Sequence, residues 1–219
     1  MAGHGKSSER TQHTVHVADI VPTLTRLGPH ALRAEVADVA QALALADFLR
    51  SARVDAEEVV AGARTVVLEG VSDQAAAEHL VASWVPGTDA REPGPLVEVP
   101  VTYDGADLAE VAAGWGTDPA GVADRLAGTE LVSAFCGFAP GFAYLSGLAP
   151  ELAVPRLDVP RPTVPAGSLA VADQWCGIYP TASPGGWRLL GRTTLELWDP
   201  ASDSPALLAP GTRVRLVPA

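Results

Sequence analysis

Between residues 135 and 192 the chain carries eight prolines and eight glycines. Proline removes a backbone donor, and glycine raises the entropic cost of order, so both penalise helices. The stretch 135–198 also holds eight of the twelve aromatic residues. Short strands joined by dense turns satisfy both constraints, and the pattern predicts a closed β-barrel or sandwich for the second half. Residues 212–217 (TRVRLV) alternate cleanly and read as a final strand.

The whole chain has 219 residues, 47% of them apolar and 19% charged, which supports a real core and rules out wholesale disorder. This length fits one domain of about 200 residues or two of about 80 and 130. The formal net charge is −11 and Lys6 is the only lysine. A duplex nucleic-acid binder needs a basic face to displace counterions, so that class is disfavoured, as is an anionic membrane surface. No run of about 18 apolar residues exists to span a bilayer. The polar start MAGHGKSSERTQH lacks the apolar segment of a secretory signal and reads as a disordered tail over residues 1–13. Its Gly5-Lys6-Ser7 lacks both the upstream glycine and the strand that a phosphate-binding loop requires. Cys136 and Cys176 form no C-x-x-C pair, so a reduced, cytoplasmic setting is expected. The histidines are His4, His13, His16, His30 and His79. Chemistry in the last 140 residues must therefore run without histidine or lysine.

The first half alternates between extended and helical signals. Residues 22–27 and 30–36 show the period of two expected of half-buried strands. Leu32, Val36, Val39 and Leu43 also fit helical spacing, which leaves the boundary near residue 36 open. Residues 38–52 are rich in Ala and Leu, with Asp38 as a candidate N-cap. Residues 57–61 and 64–69 are short β-branched runs about a turn at Gly62, and a second helix opens at Ser72 and runs to about Trp84. This order predicts a small α/β sandwich of ferredoxin-like type over residues 14–90, with its helices on one sheet face. Residues 86–95 hold three prolines and two glycines and read as a linker. A second domain then spans 94–219. It opens with a strand at 96–103, whose Pro100 marks an exposed edge. Residues 107–127 read as helix, broken at 114–116 and restarted by the cap and proline of Thr117-Asp118-Pro119.

Three strings carry candidate chemistry. In residues 137–145 (GFAPGFAYL), Phe138, Pro140, Gly141 and Tyr144 set aromatics beside glycines that permit close backbone approach; they line either a pocket wall or a turn over the core. In 155–168 (PRLDVPRPTVPAGS), Arg156 and Arg161 ride on a stiff extended backbone that suits a carboxylate or phosphate, or they are exposed on a connecting loop. In 176–192, Tyr179 is followed by Ser183 and by Gly185-Gly186, whose amides can form an anion nest flanked by Trp187, Arg188 and Arg192; the same string also fits a hairpin with a core tryptophan. The two cysteines read as buried small hydrophobes, since no histidine stands by to activate them.

Together these strings resemble the allophanate hydrolase subunit 1 / KipI family, strongly over residues 96–219 and weakly over 20–90. The resemblance implies an α+β two-domain chain in which the sandwich is followed by a cyclophilin-like β-barrel. It implies a role as the B subunit of an ATP-dependent 5-oxoprolinase that opens 5-oxo-L-proline to L-glutamate. The implied partners are a homologous subunit 2 (the 5-oxoprolinase C subunit) and a LamB/YcsF-like A subunit, with ATP and Mg²⁺ shared among them and no dedicated metal site. The alternatives within the family are an inhibitor of a sensor histidine kinase and a component of an allophanate hydrolase or urea carboxylase system. On this resemblance Phe138, Pro140, Gly141, Tyr144, Arg156, Arg161, Tyr179, Ser183, Gly185, Gly186, Trp187, Arg188 and Arg192 are candidates for contact with substrate or ATP. The catalytic residues are not assigned. Many members carry Arg-His-Thr where this chain has Arg125-Leu126-Ala127, and a Thr where it has Cys176.

Overall fold

A computed structural model describes residues 21–87 and 93–219. The expected tail at 1–13 and the centre of the expected linker lie outside the described residues.

The first region is built from β1 (Thr23–Arg26), β2 (Ala31–Glu35), α1 (Val39–Ser51), β3 (Glu58–Ala61), β4 (Thr65–Glu69) and α2 (Gln74–Ser83). Its sheet runs β1-β2-β4-β3, with every neighbour antiparallel. The segment from β2 to α2 has the split ferredoxin-like arrangement, in which the strand after the first helix takes the outer position. The fourth strand, however, comes from an N-terminal hairpin partner, β1, rather than from a strand after α2. Period-two alternation turns Leu32, Ala34, Val66 and Leu68 onto Leu45 and Leu49 of α1 and Val81 of α2, forming one core cluster. The ambiguity at residue 36 resolves sharply. Val36 donates its amide to the Arg64 carbonyl and closes the strand pairing, and Asp38 then caps α1 by accepting from the Gln41 amide at 2.9 Å. Asp73 caps α2 in the same way, so this helix starts two residues later than Ser72.

The second region contains β5 (Leu96–Val101), α3 (Leu108–Gly114), α4 (Pro119–Ala127), β6 (Leu131–Cys136), β7 (Ala143–Ser146), β8 (Arg161–Val164), β9 (Ser168–Ala172), β10 (Trp175–Ile178), β11 (Ser183–Gly185), β12 (Arg188–Arg192) and β13 (Arg213–Pro218). Seven strands form one sheet in the order β12-β9-β10-β7-β6-β13-β5, with β13 and β5 parallel and the other pairs antiparallel. Pro100 does sit on an edge strand, β5, as its missing donor requires. The sheet nonetheless curls almost shut. Thr102 and Arg192 exchange two backbone hydrogen bonds of 2.9 Å, and Gly105 and Asp107 donate to the carbonyls of Leu190 and Leu189 at 3.1 and 3.0 Å. The seam closes only because two residues lack side chains. A Cβ on Gly191 would strike the Thr102 carbonyl, and one on Gly105 would strike the backbone of Leu189 and Leu190.

The barrel interior is apolar. Leu131, Leu145, Leu169, Val171, Cys176, Ile178, Leu190, Val214 and Leu216 face inward, and α3 and α4 add Val111, Val122 and Leu126. Leu126 is fully buried, so this position belongs to the core. The opposite face of the same strands is also covered. Ala170, Ala172 and Leu189 point outward onto Phe142, Tyr179 and Trp187, while the separate antiparallel pair β8–β11 lays Val164 over them. Among the described residues no helix is long and apolar enough to cross a membrane.

Candidate functional site

Alternation along β7, β9 and β10 sends Leu145, Leu169, Val171 and Ile178 into the barrel and turns Tyr144, Ala170, Ala172 and Trp175 to the outer face. That outer face collects the aromatic side chains of the second half. Phe135 stacks on Tyr144 with ring centroids 4.4 Å apart, and Trp175 meets both rings edge-on. Phe142 is the hub, in T-shaped contact with Phe138, Tyr144, Tyr179 and Trp187 at 5.1–5.5 Å. Gly177 makes this possible, because a Cβ there would come within 3.0 Å of both the Phe142 and Trp187 rings. Phe142 carries the cluster, yet in the sequence it is one aromatic among several in its string.

The candidates from the aromatic string divide by exposure. Tyr144 is half-buried inside the ring cluster. Gly141 is buried against Trp198, and Pro140 is exposed on the turn that joins β6 to β7. Phe138 stands apart. The residue is 61% exposed and its backbone has φ +71°, the left-handed region that costs a non-glycine residue about 1–2 kcal/mol. Edge contacts with Phe142 and Tyr179 hold the ring in place, at 5.3 and 6.1 Å.

The four candidate arginines do not converge on one point. Arg161 Nη2 donates to both oxygens of Asp107, at 2.7 and 2.9 Å, and its Nη1 reaches the Trp187 carbonyl. Asp107 is buried and also accepts from the Leu189 amide at 2.6 Å. Arg188 pairs with Glu110 at 2.7 Å and donates to the Pro155 carbonyl. Arg192 pairs with Asp104 at 2.8 Å, on the exposed side of the barrel seam. Three acids spaced by three residues, Asp104, Asp107 and Glu110, thus clamp three arginines that the sequence suggested as free anion contacts. The acid spacing is visible in the sequence, but nothing local ties it to arginines more than fifty residues away.

Arg156 differs. It is exposed and makes no hydrogen bond or ion pair among the described residues. Its Nε and Nη2 lie 3.7 Å from where a Gly186 side chain would begin, and Leu157 anchors the backbone beside it by donating to the Gly186 carbonyl at 2.7 Å. Gly185 packs directly on the Tyr179 hydroxyl, and Ser183 turns its hydroxyl back to the Thr181 carbonyl. Trp187 is a core ring, in line with the hairpin reading of its string. Burial pushes the Tyr179 phenol up; the Trp187 backbone amide and the Arg156 and Arg161 guanidiniums pull it back toward the phenolate. Phe138, Tyr179, Arg156 and the Gly185–Gly186 backbone therefore share one neighbourhood, and Arg192 lies outside it.

The cysteines diverge from each other. Cys176 is fully buried in the barrel, which pushes its thiol up to about 12. Cys136 is only partly buried, and its Sγ approaches the Leu208 carbonyl at 3.6 Å. A separate apolar groove of about 550 Å³ runs between α1 and the barrel, with Val39, Leu43, Val132 and Gly211 on its walls.

Residues 22–208 match the family described as carboxyltransferase domain, subdomain C and D. The 5-oxoprolinase B subunit of Escherichia coli O157:H7 is 47% identical over 139 residues, covering 62% of this chain and 64% of that protein. The 5-oxoprolinase B subunit of Bacillus subtilis (strain 168) is 43% identical over 125 residues, covering 56% of this chain and 52% of its own length. The matches thus span between about half and two thirds of these curated relatives. The crystal structure of TTHA0988 superposes with a TM-score of 0.75 at 34% identity, over 87% of this chain and 40% of that one.

Proposed function

The chain belongs to the carboxyltransferase domain, subdomain C and D, family, and on that footing we propose that it acts as the B subunit of an ATP-dependent 5-oxoprolinase. In this reading it contributes, with the A and C subunits, to the opening of 5-oxo-L-proline to L-glutamate. The observation that carries it is the 39–47% identity to three curated relatives that bear the 5-oxoprolinase B name. No observation on this chain favours the kinase-inhibitor or urea-related alternatives.

A five-membered lactam is an unstrained amide that resists water, so its opening calls for activation and for groups that stabilise developing negative charge. The residues of this chain fit part of that task. Arg156 offers one guanidinium without a carboxylate partner among the described residues, beside the Gly186 backbone. Arg161, Arg188 and Arg192 are already neutralised by acids. Among the described residues, no three His, Cys, Asp or Glu side chains gather as a metal site requires. One anion contact does not make a triphosphate site, so the nucleotide and its Mg²⁺ are assigned here to surfaces completed by the A and C subunits.

The test is reconstitution. The chain is purified alone and together with homologues of the A and C subunits, and glutamate release and 5-oxoproline-dependent ATP hydrolysis are measured. Turnover is expected only with all three components. Absence of glutamate release from the full set, or turnover by this chain alone, overturns the reading.

A further inference from the structure

Arg156, Tyr179 and Phe138 share a property that the rest of the second half lacks: each presents chemistry that the fold leaves unused. Arg156 is the one arginine of the four without an acidic partner among the described residues. The Tyr179 ring is buried, while its hydroxyl lies against Gly185, where any larger residue would displace it. Phe138 is held in a strained backbone and is 61% exposed as a residue, so core packing gains little from it. Strain kept at an exposed aromatic calls for a reason outside folding.

The three groups are tied together. Phe138 meets the edge of Tyr179 at 6.1 Å, and the Tyr179 hydroxyl lies on Gly185, next in sequence to the Gly186 beside which Arg156 stands. We propose that they form a subsite for a small planar ligand carrying one carboxylate. Arg156 takes the carboxylate through paired N–H donors, a task for which its planar fork suits it. Phe138 offers its exposed face to the flat part of the ligand. The Tyr179 hydroxyl, already flanked by donors, directs its own proton to a ligand oxygen. Asp107 is a positioning residue: by neutralising Arg161 it leaves Arg156 as the local positive charge.

This inference rests on the proposed function for the identity of its probe, 5-oxo-L-proline, a planar lactam with one carboxylate. The reconstituted complex is assayed with that substrate, and 2-pyrrolidinone, the same ring without the carboxylate, serves as a competing inhibitor. Arg156→Gln is expected to raise KM for 5-oxo-L-proline at least tenfold, change kcat less than threefold, and leave inhibition by 2-pyrrolidinone unchanged. Arg156→Lys recovers part of the loss. Phe138→Leu weakens both compounds about fivefold. An unchanged KM in Arg156→Gln, or equal loss of both compounds, overturns the subsite while the oxoprolinase reading stands. Where the wild-type complex releases no glutamate, that reading fails by itself. The subsite is then decided by NMR titration of the chain with the same two compounds: binding of 5-oxo-L-proline that disappears in Arg156→Gln sustains it, and equal or absent binding of both overturns it.

Discussion

The carboxylate of Asp107 accepts three hydrogen bonds, two from Arg161 and one from the Leu189 amide, and so pins β8 and β12 to the start of α3. Removing one partner of a buried pair leaves the other charge uncompensated, at roughly 3–5 kcal/mol. Asp107→Ala is expected to lower stability by about 3 kcal/mol or more in urea unfolding. Asp104→Ala, which breaks an exposed pair with Arg192, falls within about 1 kcal/mol of wild type. Equal losses from the two substitutions contradict the ranking.

The barrel seam depends on Gly191. Gly191→Ala puts a methyl group into the Thr102 carbonyl, and a well-packed structure gives way at roughly 1–3 kcal/mol. Amide exchange at Thr102 and Arg192, whose N–H groups form the bridge, accelerates in the variant ahead of exchange in β9 and β10. Uniform acceleration across all strands speaks against a local seam.

Cys176 imposes a pH limit. Its folded thiol is raised by burial from 9.0 to about 12, so the unfolded chain loses that proton first as pH rises. The contribution is fully present below pH 9 and declines up to about pH 12. Tyr103, with its phenol buried beside this thiol and also raised, steepens the alkaline end. At about pH 8, below the ordinary thiol range, a thiol reagent is expected to modify Cys136 in the folded protein and Cys176 only after unfolding. Rapid native labelling of Cys176 would contradict its placement.

Phe138 trades stability for an exposed ring. Phe138→Gly relieves the positive φ and is expected to stabilise the fold by about 1 kcal/mol, a rise of roughly 2–4 °C in Tm. Loss of stability in this variant indicates that the ring contributes more through Phe142 and Tyr179 than its exposure suggests.

Local signals carried the expected elements wherever structure is local. Asp38, Asp73 and Asp118 each cap the helix that follows, and Pro119 opens α4 as its position after the cap predicts. The proline and glycine density of the second half did fold into short strands around a nearly closed sheet. The pairing of Arg161 with Asp107, 54 positions apart, is invisible in the sequence because only tertiary packing brings them together. The same holds for the Thr102–Arg192 bridge and for the separate β8–β11 pair. Charge composition exposes the arginines but not their neutralisation, so three of four look free. What separates Arg156 from the others is the route of the backbone past Gly186, which no spacing rule encodes.

The parallel pairing of β5 with β13 joins residues 117 positions apart, as in the Glu98–Arg215 contact. During synthesis the apolar inner face, with Val99 and Leu131 among its residues, must wait unshielded until β13 leaves the ribosome. A chain stopped short of residue 213 would leave β5 without its ladder partner and the inner face an open, adhesive sheet.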